Sequence, residues 1–257
     1  MRMDEILSLY KPQGMTPLQL IEKFRIENPK YKDEKIGFAG RLDPLAHGVM
    51  LLTVGEANKR RQDFLHLNKT YKFSVLFGIE TDSYDYLGVL KNAQVLELPN
   101  NYKEIVEKFI TKHTGKYTQL YPPFSSKTIN GVQLYKLAKR GNIEISDLPT
   151  REVEVFSFKA LREEIIFGKD LLKIMVSILK KIRGFFRQTK IIKQWKDLFS
   201  LNMDREFKIM HFEIECSSGT YVRSLANNMG QELGCGAIAF EILRTKVGNF
   251  RSENLTD

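Results

Sequence analysis

One carboxylate in this sequence stands in a setting that suits a nucleophile. It is Asp43, within a glycine-rich stretch at residues 35–49. Pro44 fixes its own φ angle and favours an extended backbone at Asp43, and the glycines permit a tight turn. An apolar run at 49–54 follows and predicts a buried strand. Asp43 is therefore either an ordinary Asp-Pro turn residue that caps its own backbone or a reactive carboxylate on a stiff turn.

Two other residues have the chemistry that such a carboxylate needs. Tyr71 lies near the start of a segment, 70–79, in which apolar residues alternate with polar ones. It is either the end of a stripe of core residues or an aromatic side chain that faces a cleft. Gly219 and Thr220 predict a helix cap, which places Arg223 in the first helical turn, where the backbone favours anions. An arginine beside an aspartate keeps it ionised, and an ionised aspartate can act as a covalent nucleophile.

Composition excludes several other classes. The chain has 257 residues, 42% of them hydrophobic, and a net charge of +9, which favours a polyanionic partner such as nucleic acid. Two cysteines and four histidines provide neither a disulfide framework nor a zinc ligand set, and no Walker loop or serine nucleophile elbow is present. We expect no metal and no cofactor. With no apolar stretch of membrane-spanning length and no signal-peptide pattern at the start, we expect a soluble cytoplasmic protein.

Periodicity and turn residues predict an α+β domain that must position these side chains. Capping-box patterns begin one helix at Thr16 and another at Asn101, a third helix is expected at 56–67, and 81–88 is expected to be a loop. Strands are predicted at 6–10, 49–54, 70–79, 89–96, 151–159, 208–218 and 238–250.

Two segments differ from this pattern. Residues 119–141 combine a Pro-Pro stretch with cations among aromatics, which suits RNA contact or simply a long surface loop. Residues 169–205 predict a basic helical hairpin inserted between two strands. Its part from 169 to 197 has nine Lys or Arg and two Asp, a charge of +7 that leaves +2 for the rest. Its apolar face could suit a membrane surface or a partner helix, or pack on the domain with its lysines solvated.

Four segments carry a resemblance to a known family. Residues 37–48 read Gly-Phe-Ala-Gly-Arg-Leu-Asp-Pro-Leu-Ala-His-Gly and resemble the catalytic motif of the bacterial TruB-type tRNA pseudouridine-55 synthases. Residues 11–14, 69–71 and 216–223 resemble, in the same order along the chain, the family's N-terminal motif, tyrosine strand and arginine motif. The similarity extends from about residue 7 to 250 and is interrupted by the basic insertion.

The resemblance implies a fold and an activity. The fold would be the pseudouridine synthase catalytic fold, a mixed, mainly antiparallel sheet flanked by helices. Asp43 would be the nucleophile, Tyr71 would stack on the target base and take part in its proton chemistry, and Arg223 would pair with Asp43. The target would be uridine 55 in the T-loop of tRNA, flipped out of its stack and attacked at C6 or at C1′. Because uridine and pseudouridine are isomers, no cofactor is implied.

The resemblance also implies substrate contacts. Lys11 would support the active-site region, and Tyr221 and Ile242 would line the uridine pocket. The other substrate-binding positions implied are Phe38, Gly40, Arg41 and Lys127.

This sequence departs from the family pattern at several positions. Phe38 stands where the family usually has a histidine that helps to hold the flipped T-loop. Residues 119–141 resemble the mobile thumb, but Tyr121 replaces a usual proline and Thr128 a usual lysine, so that Lys127 would serve instead. We expect a single catalytic domain over 1–257 that acts as a monomer, without the C-terminal RNA-binding domain of many members. The basic insertion would supply part of the missing affinity for tRNA. The alternatives are a non-catalytic tRNA-folding chaperone and a synthase of other RNA specificity.

Overall fold

The structure is a computed structural model and describes residues 3–252. The predicted domain limits at residues 1 and 257 lie outside the described residues. The strands are β1 (Asp4–Lys11), β2 (Ile36–Ala39), β3 (His47–Gly55), β4 (Lys69–Phe77), β5 (Gly115–Leu120), β6 (Thr128–Ile129), β7 (Val132–Gln133), β8 (Thr150–Phe167), β9 (Glu206–Cys216) and β10 (Ala237–Val247). The α-helices are α1 (Pro17–Glu27), α2 (Arg61–Leu65), α3 (Tyr102–Lys112), α4 (Leu134–Lys139), α5 (Gly168–Leu179), α6 (Gln188–Ser200) and α7 (Val222–Leu233).

Within the described residues, eight strands form one sheet in the order β1-β3-β10-β4-β9-β8-β5, with β2 also paired to β3. Every pairing is antiparallel except that of β10 with β3, which is parallel. The predicted α+β fold with a mixed, mainly antiparallel sheet is therefore confirmed. The parallel contact depends on a glycine. Gly48 has a φ of 107°, and a Cβ added there would lie 2.2 Å from the backbone oxygen of Arg244 on β10.

Helices cover both faces of the central strands. Alternation along β4 directs Val75 into a cluster with α3 and α7, and Leu76 into a second cluster with α5 and α6. A third cluster packs Leu20 and Ile21 of α1 on β3. The catalytic motif and the arginine motif thus both join this sheet, one through β3 and the other through β9 and α7.

The predicted helical hairpin is formed by α5 and α6, and its apolar face packs on the domain. The side chains buried on that face include Leu171, Met175, Ile191, Trp195 and Phe199, each 0% exposed. The Trp195 indole also donates to the Tyr86 backbone oxygen at 2.9 Å. The apolar face is therefore buried against the sheet, which leaves the charged face of the hairpin outward.

The two predicted capping boxes had different outcomes. At Thr16 the box is confirmed, since the hydroxyl accepts from the Gln19 N–H at 3.3 Å and the Gln19 side chain accepts from the Thr16 N–H at 2.8 Å. At Asn101 it was wrong: α3 does begin at the next residue, but the Asn101 side chain makes no cap hydrogen bond.

Other predictions failed where local bonding differs from the sequence pattern. The Thr220 hydroxyl donates to the Ser217 backbone oxygen at 3.0 Å instead of capping α7, although Arg223 does lie in the first turn. Residues 89–96 form no strand, because their backbone bonds close a loop, with Leu96 N–H donating to Gly78 at 2.9 Å. The predicted helix at 56–67 is a 3₁₀ turn over 56–60 followed by the short α2.

Candidate active site

Asp43 lies in the turn between β2 and β3, and its side chain is 43% exposed. The turn is closed by the Ala46 N–H, which donates to the Asp43 backbone oxygen at 3.1 Å, and is fixed by Gly14 N–H, which donates to Pro44 at 2.8 Å. Within residues 3–252, the Asp43 carboxylate accepts a hydrogen bond from Arg223 and none from its own turn. The turn-cap interpretation is therefore wrong, and the carboxylate is partly open to solvent.

Arg223 binds three separate segments of the chain. Its side chain is 4% exposed, and its Nε donates to Asp43 Oδ2 at 2.8 Å. Its Nη1 donates to the Ser83 backbone oxygen at 2.5 Å, and its Nη2 donates to the Phe124 backbone oxygen at 3.1 Å. Although burial opposes it, the nearby carboxylates of Asp43 and Asp85 raise the pKa of Arg223. The guanidinium is thus a fixed cation beside the exposed carboxylate.

Asp85 is a second, buried carboxylate at this arginine, and the sequence analysis missed it. Its Oδ2 lies 3.6 Å from Arg223 Nε, while its Oδ1 accepts from the Ser83 hydroxyl at 2.6 Å and from the Leu87 N–H at 3.0 Å. Burial raises the pKa of Asp85 to about 6, and the Arg223 guanidinium limits the rise. The available signal was a carboxylate placed among Tyr84, Tyr86 and Leu87, in a loop predicted to be solvated.

Tyr71 lies on β4 at a strand position that pairs with Arg244 on β10. It packs against the core cluster that contains Leu42, next to Asp43, which confirms the core interpretation, while an aromatic facing a cleft stays a prediction. Burial raises the pKa of Tyr71, and the nearby Arg244 guanidinium opposes that rise. The phenol therefore stays protonated at neutral pH.

The sequence predicts only a strand at 238–250 around Arg244, and the structure places this residue beside the Asp43 turn. Its side chain is buried, its Nε donates to the Val49 backbone oxygen at 2.7 Å, and its Nη1 donates to the Arg41 backbone oxygen at 3.0 Å. It therefore connects β3 to the residues just before Asp43. Strand periodicity gives no signal for such a contact, since it depends on which strand β10 pairs with.

Lys11 ends β1 beside this turn and is fully buried. Its ammonium donates to the backbone oxygens of Pro12 at 3.1 Å and Met15 at 2.6 Å. Burial lowers the pKa of Lys11 to about 7, although the Asp43 carboxylate acts in the opposite direction. Lys11 thus holds the segment that follows β1, residues 12–15, and is not an exposed cation.

Tyr221 and Ile242 complete the surroundings of Asp43. The Tyr221 backbone N–H donates to the Gln119 side-chain oxygen at 2.8 Å, and the Tyr221 ring lies 5.5 Å from the Tyr121 ring. Burial, and then the Asp43 charge, raise the pKa of Tyr221 to about 12. Ile242 is buried in the same cluster as Tyr71.

The remaining predicted residues lie further from the carboxylate. Phe38 packs with the α1 cluster, and the exposed Arg41 guanidinium lies 5.6 Å from its ring. Gly40 has a φ of 86°, which suits a glycine. Lys127 is exposed, with its ammonium 5.5 Å from the Tyr121 ring. The structure thus brings Asp43, Arg223, Tyr71, Tyr221 and Lys11 together and leaves Phe38, Arg41 and Lys127 around them.

No group of three or more His, Cys, Asp or Glu side chains among residues 3–252 is placed to hold a metal ion. In the same range, no helix is both long and apolar enough to cross a membrane.

The chemistry available is that of an accessible carboxylate near an aromatic ring. The Arg223 guanidinium holds this carboxylate in place by a hydrogen bond, and exposure allows a substrate to approach it. The aromatic side chains at this opening provide faces on which a planar ring can stack.

The chain is similar to known proteins over nearly its whole length. The family model described as TruB family pseudouridylate synthase, N-terminal domain, matches residues 28–180. A protein of Clostridium acetobutylicum named tRNA pseudouridine synthase B is 31% identical over 251 residues, covering 97% of this chain and 69% of that protein. One of the same name from Aquifex aeolicus is 32% identical, covering 98% and 71%.

A solved structure of a Cbf5-Nop10-Gar1 complex contains a similarly folded chain, with a TM-score of 0.57 and 19% identity. The match covers 96% of this chain and 50% of that one, so the chain spans about half the length of this structural relative. At that identity the likeness concerns the fold, while the sequence matches identify the family. This chain belongs to the TruB family of pseudouridylate synthases.

Proposed function

We propose that this protein is a tRNA pseudouridine synthase that isomerises uridine 55 of the T-loop, with Asp43 as the nucleophile. The observation that carries the proposal is the pairing of a half-exposed Asp43 with the buried Arg223 at 2.8 Å. The relatives named tRNA pseudouridine synthase B support tRNA as the substrate, and the net charge of +9 suits a polyanion.

The reaction follows from the exposed carboxylate. The target uridine must leave its stack before its ring can reach Asp43. The carboxylate then attacks the base at C6 or the ribose at C1′, and the glycosidic bond between N1 and C1′ breaks. The base rotates, C5 bonds to C1′, the proton on C5 is lost, and N1 gains a proton as Asp43 is released. Product and substrate are isomers, so the reaction requires no redox cofactor.

The neighbouring residues take roles that match their positions. Tyr71 stacks on the base, and its protonated hydroxyl is available for proton chemistry. Tyr221 and Ile242 line the uridine pocket. Lys11 binds the carbonyls of Pro12 and Met15 and so holds the segment whose Gly14 N–H donates to Pro44. Around them, Phe38, Gly40, Arg41 and Lys127 form the substrate-binding rim. Phe38 packs with the α1 cluster, so the Arg41 guanidinium, 5.6 Å from its ring, makes the RNA contact at this position.

The domain arrangement follows the same proposal. The catalytic domain includes a thumb at residues 119–141, which carries Lys127 and contacts Arg223 through Phe124. The protein acts as a cytoplasmic monomer on the T-arm of tRNA.

Tritium release from tRNA transcripts labelled at C5 of uridine tests the activity. We expect release by the wild type and none by Asp43→Asn, with both proteins folded and both binding tRNA. Binding without release by either protein would indicate a chaperone. Release that survives replacement of the T-loop uridine would indicate another RNA target, and either result would overturn the proposal.

A further inference from the structure

The segment that connects α5 to α6, together with the first residues of α6, is termed the elbow here (residues 180–190), and it concentrates exposed positive charge. Lys180, Lys181, Arg183 and Lys190 are all exposed. Within residues 3–252, none of the four has an ion-pair partner; the cations of residues 169–205 that form ion pairs are Lys169, Arg187 and Arg205. A cation that has no protein partner is available to an anionic ligand.

Phe185, at the centre of the elbow, is 97% exposed. The hairpin buries its other large aromatic side chains, since Trp195 and Phe199 are each 0% exposed. The Phe185 ring therefore stays in solvent among lysines and arginines, although the same hairpin buries other aromatic rings against the sheet. Aromatic rings flanked by cations are typical of surfaces that stack on bases and contact phosphates of RNA.

Three contacts place the elbow at the rim of the Asp43 opening. A Cβ added at Gly14 would lie 3.2 Å from the Lys181 Cβ, and the Gly14 N–H donates to Pro44, the residue after Asp43. On the other side, the Lys139 ammonium of α4 donates to the Phe185 backbone oxygen at 2.8 Å. The elbow thus lies between the N-terminal turn and the predicted thumb.

Arg187 ties the elbow to the same groups that hold the active site. Its guanidinium makes two hydrogen bonds to the Asp82 carboxylate, at 2.6 and 3.1 Å, and lies 4.6 Å from the Phe124 ring. Phe124 accepts a hydrogen bond from Arg223, and Asp82 lies in the loop that also carries Asp85. The elbow is therefore held in place beside the opening, and an open pocket lies between it and α4.

We infer that the elbow is a second RNA-contact surface of this protein, which binds the phosphate backbone of the tRNA outside the base that enters at Asp43. Lys180, Lys181 and Arg183 contact phosphates, and Phe185 stacks on an unpaired base. The inference rests on the proposed function for the identity of the RNA. A membrane or a partner helix fits less well, because the apolar face of the hairpin is already buried on the sheet.

The test neutralises the three elbow cations together, in Lys180→Gln/Lys181→Gln/Arg183→Gln. The matched control makes the same charge change on α3, in Lys103→Gln/Lys108→Gln/Lys112→Gln. The α3 lysines are exposed, and Lys112 pairs with Glu232 near the end of α7 that is opposite Arg223. Kd for a tRNA transcript is measured over a series of salt concentrations, and circular dichroism checks that both variants are folded.

We expect the elbow variant to raise Kd by at least about tenfold near 0.1 M salt and to make the slope of log Kd against log salt shallower by about 2.7, since each of the three phosphate contacts contributes about 0.9. The α3 control should change Kd by less than about twofold. Phe185→Ala alone should raise Kd by about fivefold or more, and Phe185→Tyr should retain wild-type binding.

Elbow and control variants with the same Kd and the same salt slope would overturn the inference. Tritium release by the wild type is measured separately and reports on the proposed function. An active wild type with an elbow that does not affect Kd leaves the proposed function intact and removes the elbow surface. A wild type that fails to bind tRNA removes both.

Discussion

Arg223 lies between a buried carboxylate, Asp85, and an exposed one, Asp43. This difference predicts that loss of the ion pair with Asp85 costs more stability than loss of the ion pair with Asp43. The perturbation is Arg223→Met, which removes the guanidinium but keeps an apolar side chain of similar length. Asp85 is 5% exposed and would be left as a charge without its cation, whereas the 43% exposed Asp43 side chain could be hydrated instead. Breaking a buried ion pair from one side costs about 3–5 kcal/mol, and we expect a loss of that size at pH 7.

Second substitutions separate the two carboxylates. In Arg223→Met/Asp85→Asn the uncompensated buried charge is gone, and we expect recovery of about 1–3 kcal/mol of the loss. In Arg223→Met/Asp43→Asn we expect recovery below about 1 kcal/mol, because an exposed pair contributes little. Recovery is partial in both cases, since the carbonyls of Ser83 and Phe124 still lose their donor.

The effect also depends on pH, with a sign fixed by linkage. Burial raises the folded-state pKa of Asp85 to about 6, above its unfolded value, so stability falls as pH rises from about 4 to about 6 and then levels off. Without Arg223 that pKa rises further, because the guanidinium lowers it in the wild type. The stability loss of Arg223→Met should therefore be larger at pH 8 than at pH 5.5.

Urea denaturation measures these free energies through the fluorescence of Trp195, the one tryptophan in the sequence, which is fully buried. Two results would contradict the claim that burial of Asp85 decides the cost of losing Arg223. One is a loss below about 1 kcal/mol for Arg223→Met. The other is an equal recovery from Asp43→Asn and Asp85→Asn, which would mean that burial does not decide the cost.

Three further predictions concern the elements around the turn. Arg244→Lys should reduce the rate of tritium release and cost about 1–3 kcal/mol, because an ammonium cannot span the two carbonyls that the guanidinium binds; an unchanged rate would contradict its positioning role. Burial lowers the folded-state pKa of Lys11 to about 7, so the unfolded chain binds more protons above that pH. The free energy of unfolding therefore rises from about pH 7 to about pH 9. Lys11→Met should reduce this slope by up to about 1.4 kcal/mol per pH unit, measured by urea denaturation. Gly48→Ala should lower the free energy of unfolding by more than about 3 kcal/mol, because its Cβ would meet the β10 backbone. Gly141→Ala, at a φ of 70° with open space around it, should lower it by only about 1–2 kcal/mol. Equal losses would show that the close approach at Gly48 does not matter.

The sequence supported predictions that depend on local pattern. The turn at Asp43, the strand of Tyr71 and the first-turn position of Arg223 all follow from residues close in the chain, and the structure has each of them. Their meeting point was inferred from a resemblance. The 2.8 Å contact between Asp43 and Arg223 joins residues 180 positions apart, and no periodicity contains that information.

What the sequence did not predict depends on long-range pairing or on hydrogen-bond choice. The role of Arg244 requires that β10 pair with β3 in parallel, and Asp85 becomes buried only because the hairpin covers its loop. At Asn101 and Thr220 the residue types suit a cap, yet only Thr220 finds a bond, and that bond is to a neighbouring carbonyl. Such side chains have several local acceptors, so residue type alone does not fix the partner.

The three bonds of Arg223 have different consequences for RNA entry. Two of them, to Asp43 and to the Ser83 carbonyl, join the catalytic turn to the loop of Asp85. The third, to the Phe124 carbonyl at 3.1 Å, is the bond between this arginine and the predicted thumb. Displacement of the predicted thumb by an entering RNA loop would cost this one charge-assisted bond, about 1.5–3 kcal/mol, and would leave the other two in place. Under the proposed function Asp43 would keep its orientation while the thumb moves, because its cation belongs to α7 and not to the thumb.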